Sequence, residues 1–228
     1  MKKLVILISG RGSNMQAIAQ APLENIKLIA VLSDKQDAPG LKWAHTHGYA
    51  TEFIDPRNYE NRIAFDTALS QVIDRFSPDL IALAGFMRVL STTFCQKYAG
   101  KLINIHPSLL PLFPGLHTHE RALASGMKVA GCTVHFVTPE LDAGPIISQA
   151  VVPIFPDDNT ASLADRVLKA EHQLYPAAIC TLAAGRIRLQ KNAIVYESLV
   201  SPSDPSFCLL YTSPSPRDAT LSRMPSSA

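Results

Sequence analysis

The stretch Lys3-Leu4-Val5-Ile6-Leu7-Ile8-Ser9-Gly10-Arg11-Gly12-Ser13-Asn14 decides the fold. Its first part is a continuous branched apolar run without polar alternation, the pattern of a central strand buried on both faces. The run ends in a glycine-rich turn, and Asn14 to Ala21 can form a helix. The basic start and apolar run have the outline of a secretory leader. The run is short, however, and passes into Gly10-Arg11-Gly12 instead of a small-residue cleavage site, so a buried first strand in a cytoplasmic protein is expected.

Moving outward, the same grammar repeats. Ile26 to Ser33 reads as a second buried strand, Gly40 to His47 as a short helix with Trp43 and Ala44 inward, and Thr51 to Ile54 as a third strand. Glu60 to Phe76 carries Ile63, Ala64, Ala68, Val72 and Ile73 near helical spacing, which predicts an amphipathic helix on that face. Asp79 to Ala84 is a fourth strand and Lys101 to Ile105 a fifth, with His106 just past its end. This alternation predicts an α/β fold of parallel strands joined by right-handed crossovers, with ligands above the carboxyl ends of the strands. Ala130 to Thr138 and Pro145 to Ile154 are both extended around Asp142-Ala143-Gly144, a mixed or antiparallel extension of the sheet. Thr160 to Ala184 is a long helix capped by Asn159 or Thr160 and ended by Gly185. Pro176 inside it predicts a kink or break near Tyr175. Arg186 to Tyr196 is read as a final hairpin. After Ser201 prolines and serines replace any periodic face, so residues 1–200 are expected to form the catalytic domain and 201–228 a disordered or non-native tail.

Composition excludes several classes. The chain has 228 residues, 47% of them hydrophobic, which suits one domain with a substantial core. A net charge of +2, with no arm or helix gathering the basic residues, argues against nucleic acid. Cys95, Cys132, Cys180 and Cys208 are far apart and form no CxxC pair, so neither a zinc knuckle nor a disulfide scaffold is indicated.

Two constellations carry chemistry. In the turn Gly10 to Asn14, glycines let the backbone approach an anion, and the amides of the helix start can cradle a phosphate with Ser13 and Asn14. No third glycine sits at dinucleotide spacing and no Gly-Lys-Ser/Thr ending follows, so a monophosphate fits better than NAD or ATP. The alternative is a tight strand-to-helix turn capped by Asn or Ser. Farther on, Asn104 and His106 lie two apart on an extended chain and so share one face. With Asp142 they suit acyl transfer to an amine: Asn104 and a protonated His106 donating to the oxygen of a tetrahedral intermediate, and Asp142 favouring imidazolium and organising a proton-carrying water. A structural histidine and a turn-forming aspartate remain the alternative. His117 and His119 are metal ligands on paper only, since no third ligand accompanies them; a helix cap or substrate-lining role is favoured.

In order along the chain, Gly12-Ser13-Asn14, Ala84-Gly85-Phe86-Met87-Arg88, Asn104-Ile105-His106-Pro107-Ser108-Leu109-Leu110-Pro111, Pro114-Gly115-Leu116-His117-Thr118-His119, and Thr133-Val134-His135-Phe136-Val137 to Leu141-Asp142-Ala143-Gly144-Pro145 resemble the motifs of the folate-dependent glycinamide ribonucleotide formyltransferases. The resemblance spans Met1 to about Glu197. It implies a Rossmann-like formyltransferase fold and transfer of a formyl group from 10-formyltetrahydrofolate to the amino group of glycinamide ribonucleotide in de novo purine biosynthesis. No metal, nucleic-acid partner or membrane is implied, and the enzyme would be a monomer or homodimer.

By position, the family's catalytic Asn, His and Asp fall on Asn104, His106 and Asp142. Gly12, Ser13 and Asn14 match its phosphate turn, while Gly85, Pro107 and Glu171 match positions near the ribonucleotide. Met87, Arg88, Val89 and Leu90, with Val137, Thr138, Glu140 and Leu141, match the folate-lining segments. Packing in the core is the other reading of Met87, Val89 and Leu90, and a salt bridge or a backbone anchor that of Arg88. Leu168 departs from the family, several members carrying Gln there. Methionyl-tRNA formyltransferases and formyltetrahydrofolate hydrolases resemble the same core. They are disfavoured on the expectation of a C-terminal RNA-binding domain in the first and an N-terminal regulatory domain in the second. A phosphate-binding module without catalysis is the remaining alternative.

Overall fold

The computed structural model describes residues 1–191, 193–196 and 209–211. Its strands are β1 (Lys2–Ile8), β2 (Ile26–Ser33), β3 (Ala50–Phe53), β4 (Leu80–Leu83), β5 (Leu102–His106), β6 (Val129–Phe136), β7 (Ile146–Pro153), β8 (Ile187–Gln190), β9 (Ala193–Tyr196) and β10 (Leu209–Tyr211). Its helices are α1 (Ser13–Gln20), α2 (Pro39–Thr46), α3 (Arg62–Phe76), α4 (Thr92–Lys97), α5 (Thr118–Ala124) and α6 (Thr160–Ala183). One sheet runs in the order β10-β7-β6-β5-β4-β1-β2-β3, and β8 and β9 form a separate hairpin.

β1 explains why this sheet forms. Leu4, Ile6 and Ile8 are buried in the core on one face, while Val5 and Leu7 are buried in the core on the other. A strand with no solvated face has no place for polar alternation, which is why its sequence reads as one apolar run. β1 to β5 are parallel to their neighbours, then β6 runs antiparallel to β5 and β7 antiparallel to β6. The expected mostly parallel α/β sheet with a mixed C-terminal part is therefore present. Strand order reverses between β1, paired with β2, and β4, which opens a crevice above their carboxyl ends. The Ser9 amide donates to Gly85 O at 3.1 Å and the Met87 amide to Ser9 Oγ at 2.9 Å, tying the two strand ends together there.

α6 packs on β6 and β7. Its Tyr175 hydroxyl lies 3.0 Å from Leu83 O and 3.3 Å from Ile103 O, pinning the helix to β4 and β5. The helix runs unbroken through Pro176, so the expected break near Tyr175 is corrected. Proline costs roughly 3 kcal/mol within a helix. Here Leu174, Tyr175, Pro176, Ala178 and Ile179 are buried around it, and that packing opposes the local penalty. At the start, Asn159 and Ser162 form a reciprocal capping box, and Gly185, at φ 74°, follows the end.

Two other details depart from the sequence reading. α3 begins at Arg62, because Asn61 Oδ1 accepts from the Ala64 amide at 3.0 Å. Its buried face is Phe65, Leu69 and Ile73, with Asp66 and Ser70, whereas Ile63 is 60% exposed. The larger side chains at i, i+4 and i+8 win the core over the alanine-rich face. Trp43 and Ala44 do face inward: Trp43 is half-buried, packs against the core and stacks on His47 at 3.8 Å between ring centroids, and Ala44 is buried. Within the span read as a tail, Leu209–Tyr211 pairs parallel with β7 as an edge strand, and the rest of 201–228 lies outside the described residues.

The α3 correction is testable by urea unfolding. Phe65→Ala is expected to cost about 3–5 kcal/mol, and Ile63→Ala to stay within about 0.5 kcal/mol. The reverse order would mean that the helix presents the other face.

Candidate active site

β5 delivers Asn104 and His106 on one face, and His106 is the last residue of the strand instead of lying beyond it. Across the antiparallel pair, Asn104 is opposite His135 and His106 opposite Thr133. Residues directly opposite share a face, so all four side chains turn to the same side of the sheet. The intervening Ile103, Ile105, Cys132, Val134 and Phe136 face the core beneath α6.

The segment after β5 covers the polar face. Thr133 Oγ1 donates to Ser108 O at 2.7 Å and accepts from the Leu110 amide at 3.1 Å. Gln149 Nε2 donates to Leu110 O at 2.9 Å. Ser108 Oγ donates to Leu112 O at 2.6 Å. These bonds carry the chain back so that Phe113 O meets His106 Nε2 at 3.0 Å. A carbonyl only accepts, so Nε2 of His106 carries a proton.

Asp142 arrives from the loop between β6 and β7. Its φ is +52°, and Gly144 two residues later passes so close to β6 that an added Cβ would lie 1.8 Å from Phe136 O. The loop therefore folds back onto the strand it left. Asp142 Oδ2 accepts from the Gly115 amide at 2.8 Å and lies 3.4 Å from His106 Nδ1. Both side chains are more than nine-tenths buried. Asn104 and His106, neighbours on β5, thus meet Asp142, which is far from them in sequence, in one cleft.

His135 is the residue that sequence reasoning passed over. Its Nε2 is 3.2 Å from Asn104 Nδ2 and 3.8 Å from Asp142 Oδ1. The available signal was a pair of polar residues, Thr133 and His135, on one face of an otherwise apolar strand. Burial holds the His135 pKa below the ordinary histidine range, with the Phe136 carbonyl and Asp142 acting against it and His106 adding to it. His119 is also lowered, by burial and then by His106. His117 occupies the N-cap position of α5 at φ 58°, without a side-chain cap bond. Among the described residues no group of three or more His, Cys, Asp or Glu is arranged to hold a metal ion.

The phosphate-turn candidates sit above β1. Gly12, at φ 70°, is the N-cap position of α1, and α2 closes against the turn through Gly40, whose amide donates to Gly10 O at 3.1 Å. A Cβ on Gly40 would meet the Gly10 and Arg11 carbonyl oxygens at 3.0 Å as well as Ile8 Cδ1, so glycine suits this close approach. Ser13 is half-buried; Asn14 is buried and donates from Nδ2 to Glu171 Oε2 at 2.6 Å. Asn14 Oδ1 is buried without a partner. Burial raises the Glu171 carboxyl to about 7 against the opposing pull of the Asn14 bond. Leu168 lies three residues before Glu171 on α6, hence on the same side of the helix.

The proposed folate-lining residues divide. Met87 and Val89 are exposed at the mouth of the crevice, so neither is a core residue, while Leu90 is buried beneath them. Arg88 lies between Asp34, 3.8 Å away, and the Phe65 ring, 4.6 Å from its centroid, which is an anchoring position. Val137 and Thr138 are half-buried and Glu140 and Leu141 exposed; Thr138 Oγ1 donates to Glu140 O at 3.2 Å. Gly85 is exposed at φ 75° and Pro107 half-buried after β5.

Comparison with known proteins gives the family. The chain belongs to the formyl transferase family, whose profile matches residues 2–179. It is 49% identical over 193 residues to the phosphoribosylglycinamide formyltransferase of Escherichia coli (strain K12), covering 83% of this chain and 91% of that protein. It is 46% identical over 193 residues to the trifunctional purine biosynthetic protein adenosine-3 of Homo sapiens, 83% of this chain but only 19% of that longer protein. The solved structure of the phosphoribosylglycinamide formyltransferase of Coxiella burnetii superposes with a TM-score of 0.84 at 43% identity, covering 92% of this chain and 99% of that one.

Glu171 supplies a pH signature. Its folded pKa of about 7 lies above the ordinary 4.5, so the folded state holds a proton that the unfolded chain has released between those values. Stability from this group is complete below the lower value and lost as pH rises through the upper one. One pH unit of displacement is worth about 1.4 kcal/mol. Glu171→Gln, which keeps an acceptor for Asn14, is therefore expected to gain about 2–3 kcal/mol over wild type between pH 5 and pH 8 in urea unfolding. A pH-independent difference would show that the carboxyl is ionised throughout.

Proposed function

We propose that the chain transfers the formyl group of 10-formyltetrahydrofolate to the amino group of glycinamide ribonucleotide, a step of de novo purine biosynthesis. One observation carries this reading: Asn104, His106 and Asp142 converge in a buried polar cleft beside the strand ends that hold a glycine-rich phosphate turn. The name of the bacterial relative, 49% identical, supports formyl transfer to the glycinamide ribonucleotide.

In this mechanism the substrate amine attacks the formyl carbon, forming the new C–N bond and placing negative charge on oxygen. Asn104 donates an amide N–H to that oxygen, and the His106 ring, its Nδ1 facing Asp142 and its Nε2 engaged by Phe113 O, lies beside it to offset the developing charge. Asp142 balances the imidazolium charge. As the intermediate collapses, the carbon–N10 bond of the folate breaks. The proton lost by the amine reaches N10 through a water held by Asp142. The amine is the nucleophile, so the chain need not supply one.

Gly12, Ser13 and Asn14 bind the ribonucleotide phosphate, with Gly85, Pro107 and Glu171 along the ribonucleotide. Met87, Arg88, Val89 and Leu90 with Val137, Thr138, Glu140 and Leu141 border the folate, Arg88 acting as the anchor of its segment. Residues 1–200 form the catalytic domain, and a chain ending at residue 200 is expected to retain turnover. The protein is cytoplasmic, works as a monomer or homodimer, and takes small molecules rather than nucleic acid or membrane as partners. Among the described residues no helix is long and apolar enough to cross a membrane.

The deciding assay supplies both substrates in the presence of a metal chelator. Formylated ribonucleotide is expected at undiminished rate; folate hydrolysis without it would reject the proposal. His106→Ala and Asp142→Asn are each expected to lower kcat by about a hundredfold or more while ribonucleotide binding persists. Unchanged turnover in either variant would remove that residue from the mechanism.

A further inference from the structure

The second imidazole in the cleft has a fixed proton. His135 Nδ1 lies 2.9 Å from Phe136 O, and this carbonyl can only accept, so Nδ1 carries the hydrogen. A neutral ring then leaves a lone pair on Nε2, and the group facing that lone pair is the amide of Asn104 at 3.2 Å. Only the NH₂ side of the amide satisfies it. Turning the amide over would set Asn104 Oδ1 against a lone pair, two acceptors in contact in a place where His135 is nearly fully buried.

We propose that His135 is a positioning residue for formyl transfer: as the neutral Nδ1–H tautomer it fixes which way the Asn104 amide points, and so aims the second N–H of Asn104 into the cleft. This rests on the reading of Asn104 as the donor to the formyl oxygen. A donor already aimed needs no reorganisation when charge develops, which is where such groups contribute most. The same tautomer protects Asp142. A proton on Nε2 would face Asp142 Oδ1, 3.8 Å away, and oppose the Asn104 N–H. The neutral ring leaves the carboxylate to Gly115 and His106. Burial, which disfavours a charged ring, supports this state.

The test combines kinetics with spectroscopy. His135→Phe keeps the ring and removes both nitrogens. It is expected to lower kcat about tenfold to a hundredfold, below the loss of a whole oxyanion donor, with KM for both substrates within about twofold. His135→Gln, which returns an acceptor near the place of Nε2, is expected to recover part of the rate. In an Asn104→Ala background His135→Phe is expected to cost little more, because it acts through the missing amide. A full multiplicative loss in that background, a loss confined to KM, or no loss at all would overturn the proposal. Unchanged turnover in Asn104→Ala alone would instead reject the role of Asn104, and His135 with it. For the wild-type protein at pH 7, long-range ¹H–¹⁵N spectra of the histidine rings are expected to show His135 protonated at Nδ1 only. An Nε2–H tautomer or an imidazolium would overturn the proposal even if His135→Phe failed to fold.

Discussion

When β6 runs back along β5 with Asn104 opposite His135 and His106 opposite Thr133, two polar side chains from each strand are committed to one face of the sheet. That pairing is the constraint on which the site depends. Thr133 holds the segment that returns Phe113 to His106, and His135 holds Asn104. The loop leaving β6 brings Asp142 back because Gly144 can lie against Phe136 O. Shifting β6 by one residue would turn Thr133 and His135 into the α6 core and bring Val134 to the cleft. The apolar parity of Cys132, Val134 and Phe136 beneath α6 resists such a slip.

The opposite face carries the proposed phosphate end of the site. There α6 supplies Glu171 to Asn14, and Tyr175 one turn farther along pins the helix to β4 and β5. A buried carboxyl with one hydrogen-bond donor and an amide oxygen with none is a poor solution for stability alone. Unsatisfied polar groups of this kind gather where a protein gives up stability for a ligand. The two faces meet at the crevice between β1 and β4, where Ser9 links the two strand ends. The proposed formyl-transfer and phosphate-binding groups thus hang on one sheet but on different packing layers.

Elements set by local pattern were legible in the sequence. β1 and β2 announced themselves by uninterrupted apolar runs, and α6 by its cap and terminal glycine. The turn at Gly12 and the shared face of Asn104 and His106 followed from glycine conformation and strand period. What failed depended on tertiary competition. Ile63 and Phe65 both sit on helical stripes of α3, and only the packed sheet shows that the Phe65 stripe is buried. α4 and α5 have six and seven residues, too short for a strong periodic signal. His135 was invisible as a partner because strand register cannot be read from one strand, and Pro176 because neighbouring packing outweighs its local penalty.

We propose that His106 and Asp142, a ring and a carboxylate 3.4 Å apart, act as one catalytic device. Double-mutant kinetics tests this most directly. If they act as a unit, His106→Ala combined with Asp142→Asn will lower kcat little beyond the more damaging single change. Losses that multiply in the double variant would contradict this and make them two independent groups that share a cleft.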